Sequence, residues 1–275
     1  MRRTIFRQVQ TILLVLCGMV LANAVYATTV TPMISVGGGI MAAIKSDGSL
    51  WWWGNMYFSD NASEKISTLN PKQIGNEFIK VSVTDGGLLA IKNDGSLWGI
   101  GRNKYGQLGN GNVISQSTLI QIGTDTWKEI SVGGYHTVGI KTDGTLWAWG
   151  ANDSGQLAIG FTSNELSLTP KKIGTDNNWS AIAAGGEHTL ALKNDGTMWA
   201  WGAAGSNRYG QIGDGQSSGN LSLTQIGTGK SWKVISAGSL NSAAIDSGGT
   251  LWIWGLTPHL AQLGGLQLVY IYPRS

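Results

Sequence analysis

The chain has 275 residues, of which only 13% are charged and 41 are Gly. Its 19 basic residues include Arg2, Arg3 and Arg7; without these three, 16 basic residues face 16 acidic ones. That balance excludes the basic face that nucleic acid or an anionic membrane surface would call for, and a single Cys excludes a disulfide scaffold.

The first 27 residues differ from the rest. Arg2, Arg3 and Arg7 give a positive start, Thr11–Leu21 is an apolar run of eleven residues, and Ala22-Asn23-Ala24 or Val25-Tyr26-Ala27 offers a small-residue cleavage site. The run is shorter than the roughly 20 residues that span a bilayer. The pattern predicts a secretory signal peptide over 1–27 and an extracellular or periplasmic destination. Leu16 before Cys17 argues against a lipid anchor.

From residue 28 onward one stretch recurs. KSDGSLWWWG begins at Lys45, KNDGSLWGIG at Lys92, KTDGTLWAWG at Lys141, KNDGTMWAWG at Lys193 and DSGGTLWIWG at Asp246. Its first Trp falls at Trp51, Trp98, Trp147, Trp199 and Trp252, a period near fifty residues that marks a repeat architecture. Upstream of each copy lies an apolar segment ending in Gly, such as WKEISVGG from Trp127. A short apolar run such as HTVGIK follows, and Asp-Gly then separates it from LWAWG, the strongest short signal for a hairpin. Downstream come a polar turn such as NRYGQIGDG and a last strand such as PKKIG at Pro170. Four short strands per repeat predict an all-β chain of about five four-stranded propeller blades over 30–77, 78–126, 127–178, 179–231 and 232–275. Blade 1 departs from the pattern after Gly54, where NMYFSDNASEKISTLN reads as a longer loop with Met56, Tyr57 and Phe58 at its apolar tip. In the fifth repeat, Leu266–Tyr272 is expected to serve as the last strand.

The succession SVGGYHTVGIKTDGTLWAWGANDSGQL over Ser131–Leu157 resembles the repeat of the regulator of chromosome condensation family. The resemblance covers roughly residues 30–265 and implies β-propeller blades. That family usually closes its ring with seven blades, so five imply either a closed five-bladed ring or an incomplete propeller of the seven-bladed type. An open array would expose two apolar blade faces and favour self-association. The resemblance also implies that function rests on protein–protein contact. Its eukaryotic namesake is a guanine nucleotide exchange factor.

Twelve of the 13 Trp fall into three slots of the repeat. Trp127, Trp179 and Trp232 share one. Trp51, Trp98, Trp147, Trp199 and Trp252 share a second, and Trp53, Trp149, Trp201 and Trp254 a third. A residue that recurs in register fills space between blades, and Trp52 is assigned there too. Asp47, Asp94, Asp143 and Asp195 are turn residues that hold the hairpins. His136 and His188 share a slot that also accepts Ile40, Gly87 and Asn241, which points to structural hydrogen bonds instead of a metal site or a general base. The G-x-S-x-G match at Gly215–Gly219 lies in a polar loop with no helix after it and carries no nucleophile.

With the recurring residues assigned to packing, no catalytic residue, metal or cofactor is expected, and function falls to the variable loops. The candidate binding residues are Met56, Tyr57 and Phe58, together with Tyr135, Glu187 and Leu240, which vary in one short loop. The leading expectation is a secreted, non-enzymatic scaffold that binds a protein. A glycan-binding propeller is the alternative, and guanine nucleotide exchange a second one.

Overall fold

The computed structural model describes residues 29–58, 65–256 and 269–270, the last two by their backbone. The signal-peptide segment over 1–27 lies outside the described residues. No helix among the described residues is long and apolar enough to cross a membrane.

The chain folds as an antiparallel array of β-blades. Blade 1 holds β1 (Met33–Gly37), β2 (Ile40–Ile44), β3 (Leu50–Tyr57) and β4 (Lys65–Gly75), paired in that order from the inside outward. Blade 2 begins with β5 (Phe78–Thr84), β6 (Gly87–Lys92) and β7 (Ser96–Gly101). Its outer strand is the first part of β8 (Gln116–Val132), a 17-residue strand that crosses into blade 3 and serves as its inner strand. Blade 3 continues with β9 (His136–Lys141), β10 (Leu146–Asn152) and β11 (Ser163–Ile173). Blade 4 is β12 (Trp179–Ala184), β13 (His188–Lys193), β14 (Met198–Gly202) and β15 (Asn220–Ile226). Blade 5 is β16 (Trp232–Ala237), β17 (Asn241–Asp246), β18 (Leu251–Gly255) and the two-residue β19 (Val269–Tyr270). The last strand pairs parallel to β18, whereas the outer strands of the other four blades pair antiparallel.

Strand alternation sorts each blade into two faces. In blades 2 to 4 one face meets the preceding blade and the other the following one, and four clusters of buried apolar side chains fill the four junctions. Trp127, Trp149, Trp179, Trp201 and Trp254 are among the largest fully buried side chains. The indole N–H of Trp149 donates to Gln107 O, that of Trp201 to Gln156 O and that of Trp254 to Gln211 O, at 2.8, 2.8 and 2.9 Å. Each bond runs back from one blade to the turn of the blade before it. The sequence of blade 1 carries no NxxGQLG motif after Gly54, and blade 2 carries Ile100 in the Trp149 slot.

Two expectations are corrected. Met56 is not at a loop tip: β3 continues to Tyr57, and Met56 is buried in the first core cluster because it shares a strand face with Leu50 and Trp52. Tyr57 and Phe58 are partly buried; the Tyr57 N–H donates to Gly86 O at 3.0 Å, where the Gln turn stands at other junctions. The second correction concerns Trp51, Trp98, Trp147, Trp199 and Trp252, which are half-buried at the hairpin end; Trp98, Trp147, Trp199 and Trp252 pack against the junction clusters without being buried inside them. The Trp51, Trp98, Trp147 and Trp199 indoles donate to Ser49, Ser96, Thr145 and Thr197, two residues earlier. Lys45, Lys92, Lys141, Lys193 and Lys230 lie over the five rings at 3.5–4.8 Å.

The hairpin carboxylates act as the sequence predicts. Asp47, Asp94, Asp143 and Asp195 accept the N–H of the residue two ahead at 2.9–3.0 Å. Hydrogen bonds from Ser or Thr hold all four below the usual carboxylate range. In blade 5, where Gly248 replaces the Asp, Asp246 accepts from Thr250 N and from the Trp252 indole instead.

Candidate functional site

Antiparallel alternation puts the hairpin between the second and third strands, Asp-Gly in blades 1 to 4 and Gly-Gly in blade 5, at one end of every blade. The Gly-Gly loops and the NxxGQLG-type turns sit at the other. This second end is the loop face, and the repeat fixes its frame firmly.

In each Gly-Gly loop the residue before the second strand has its carbonyl tied to the end of the third strand. Gly39, Gly86, Tyr135, Glu187 and Leu240 accept from the N–H of Asn55, Arg102, Ala151, Ala203 and Leu256 at 2.7–3.1 Å. The close approach requires Gly on the third strand. At Gly150 φ is 102°, and an added Cβ would lie 2.6 Å from Tyr135 O. In the turns, Asn103 Oδ1 accepts from Leu108 N, and Asn152 and Asn207 repeat the bond to Leu157 and Ile212. Side chains in these loops therefore project from a backbone that is already hydrogen-bonded.

That frame brings Tyr135, Glu187 and Leu240 together around one cleft of about 280 Å³, completed by Ser206, Arg208 and Tyr209. A second cleft of about 300 Å³ is lined by Asp85, Arg102, Tyr105 and Gln107. Tyr135 borders both. It is 39% exposed and meets the Tyr105 ring edge-on, with centroids 4.8 Å apart. The Ser154 hydroxyl donates to Glu187 at 3.1 Å, Arg102 pairs with Asp85 at 3.3 Å, and the Arg208 guanidinium lies 4.7 Å from the Tyr209 ring centre. The result is a shallow, mixed-charge surface with three Tyr, the side-chain types that dominate energetic anchors at protein interfaces.

Tyr105, Arg208, Tyr209 and Asp85 were not singled out from the sequence. Their signal was present: the two variable positions of the turn read Lys104-Tyr105, Asp153-Ser154 and Arg208-Tyr209, while the flanking Asn and Gly recur. Met56 does not belong to this surface.

His136 and His188 lie behind the loops and are buried. His136 Nε2 is 2.8 Å from Thr189 Oγ1, and His188 Nε2 is 2.8 Å from Ser242 Oγ, one blade onward in each case. Burial, with the neighbouring His188 adding to it, pulls the His136 pKa down to about 3; burial takes His188 down to about 4. Both are neutral links between blades. No group of three His, Cys, Asp or Glu among the described residues could hold a metal ion.

Family models for the regulator of chromosome condensation (RCC1) repeat match residues 94–140 and 143–192, and 127–156 and 179–211. Residues 94–211 are built of RCC1 repeats. It is 39% identical over 95 residues to the X-linked retinitis pigmentosa GTPase regulator homolog of Caenorhabditis elegans, covering 32% of this chain and 7% of that protein. To the ultraviolet-B receptor UVR8 of Arabidopsis thaliana it is 28% identical over 193 residues, 67% of this chain and 43% of the receptor. The chain thus spans less than half the length of either relative. Among solved structures, yeast RCC1 (Prp20) bound to Kap60 superposes with a TM-score of 0.71 at 20% identity, over 81% of this chain and 55% of that one. Human WBSCR16 superposes with a TM-score of 0.68 at 18% identity, over 84% of this chain and 64% of that one. The RCC1 β-propeller is the shared fold.

Proposed function

We propose that this chain is an exported, non-enzymatic scaffold that binds a partner protein through the loop face centred on Tyr135. The observation that carries the reading is the position of Tyr135: a partly exposed aromatic between two clefts, on a loop whose carbonyl is locked by Ala151. A pre-ordered aromatic loses little conformational freedom when a partner covers it. The positive start, apolar run and small residues over 1–27 support export.

The covered Trp rings favour a protein over a glycan. Sugar stacking needs an open aromatic face, and the half-buried Trp that recurs in every blade has a Lys over its ring. Guanine nucleotide exchange is the weaker reading, because an exported chain meets no cytosolic GTPase.

A photo-crosslinking amino acid at position 135 tests the proposal against the same group at Lys141, on the hairpin face. The expected result is a discrete adduct with an extracellular or periplasmic protein from position 135 alone. Adducts of equal yield from both positions, or from Lys141 alone, would remove the loop face from consideration.

A further inference from the structure

We infer that the two end blades form a second interaction surface whose partner is another copy of this chain, the fifth blade of one copy covering the first blade of the next. The inference is independent of the loop-face reading.

The internal junctions define what each face of a blade expects. Toward the preceding blade, the inner strand presents two β-branched slots. These hold Val81 and Val83 in blade 2 and Ile130 and Val132 in blade 3, all buried. Blade 1 presents Ile34 and Val36 in the same slots, 70% and 68% exposed. Ala43 and Trp53 are partly exposed there too, while their counterparts Ala191 and Trp201 are buried.

Toward the following blade the pattern is reversed. Leu190, Leu192, Met198 and Ala200 of blade 4 are buried. Ala243, Ile245, Leu251 and Ile253 of blade 5 occupy the same slots and are partly exposed, and Val234 is 52% exposed. Val234, Ala243, Ile245 and Leu251 line an apolar depression. Extensive strand packing joins blade 1 to blade 2 and blade 5 to blade 4; among the described residues no strand of the first blade packs extensively on the fifth.

A polar feature sets the register. Ser35, Ser82 and Ser131 each accept, through Oγ, a backbone N–H from the next blade: Val83, Val132 and Ala184, at 3.1, 3.0 and 2.9 Å. Blade 5 carries Ser236 in the acceptor slot, exposed, and blade 1 carries Val36 in the donor slot. The tail therefore offers both the apolar face and the hydroxyl that the head is shaped to receive. A second copy supplies both at once.

The inner strand ends of all five blades border one central space of about 330 Å³, so the blades already curve round a common axis. A docked copy must then step along that axis instead of lying in the same plane. Head-to-tail contact of this kind is heterologous and extends as an open series.

The test uses the full chain with Cys17→Ser. Val36→Cys and Ser236→Cys are made in separate proteins, mixed and oxidised. Ser35→Cys with Val83→Cys in one chain serves as the internal reference. Disulfide-linked dimers in the mixture, at a rate within a few-fold of the reference, are expected, with a light-scattering mass that rises with concentration. Val234→Lys and Ile34→Lys should each return the mass to that of a monomer without lowering the melting temperature. A wild-type monomer at every concentration, or a Val36→Cys/Ser236→Cys double variant that closes within one chain, would overturn the inference.

Discussion

The indole N–H of Trp149 donates to the carbonyl oxygen of Gln107, a residue 42 positions earlier and one blade back, at 2.8 Å. The same bond joins Trp201 to Gln156 and Trp254 to Gln211. The repeat is thus coupled blade to blade, as in other quasi-one-dimensional folds. Trp149→Phe should destabilise the chain by about 1–3 kcal/mol, since it removes one of the two donors to the buried Gln107 carbonyl, leaving the Thr137 hydroxyl at 2.7 Å, and opens space where the larger indole packed. Trp53→Phe should cost less than about 1 kcal/mol, because that indole is half-exposed at the head of the array. Denaturant unfolding of the two variants measures the difference; equal losses would contradict the coupling.

Acid should weaken the fold before the carboxylates titrate. His136 and His188 are held neutral in the native state, with pKa values of about 3 and about 4. In the unfolded chain they take up protons below about pH 6.5. A folded pKa below the unfolded one means stability that is present at neutral pH and lost as pH falls through that window. The slope is about 1.4 kcal/mol per pH unit for each His. His136→Asn with His188→Asn, the residue that blade 5 carries at Asn241, should flatten unfolding free energy between about pH 6.5 and pH 5. The turn Asp residues, with pKa values lowered from 3.8, act only at lower pH.

Gly150 should tolerate no side chain. Its φ is 102°, and a Cβ would sit 2.6 Å from Tyr135 O and 2.8 Å from His136 Cα. Gly150→Ala should cost more than about 3 kcal/mol, from strain plus overlap. Gly111→Ala is the control: φ is 87°, but nothing lies within 4 Å, so only the backbone strain of about 1–3 kcal/mol applies. Thermal melts of the pair separate the two terms.

The fold was legible because the repeat prints the same residues in the same order. Asp-Gly, the Trp slots and the Gly before each turn all specify one blade. The misread parts are those where the repeat departs from itself. NMYF after Gly54 lost the NxxGQLG pattern and so read as a loop, although Leu50, Trp52 and Met56 still keep one face of a strand. The Trp51 slot recurs as faithfully as the Trp149 slot, yet recurrence cannot distinguish a ring fully buried between blades from one half-buried at the edge of the junction under a Lys. The loop face was half legible. Tyr135, Glu187 and Leu240 stood out as variable positions in a constant loop, but their meeting with Arg208 and Tyr209 depends on the curvature of the array.

The most direct test of the loop-face account combines Tyr135→Ala with Arg208→Ala, and compares that variant with Lys141→Ala on the hairpin face. Capture of the crosslinked partner and the melting temperature are measured for both. The account predicts at least a tenfold loss of partner capture in the loop-face variant, at a melting temperature within a few degrees of wild type, and no loss for Lys141→Ala; undiminished capture by the loop-face variant would contradict it.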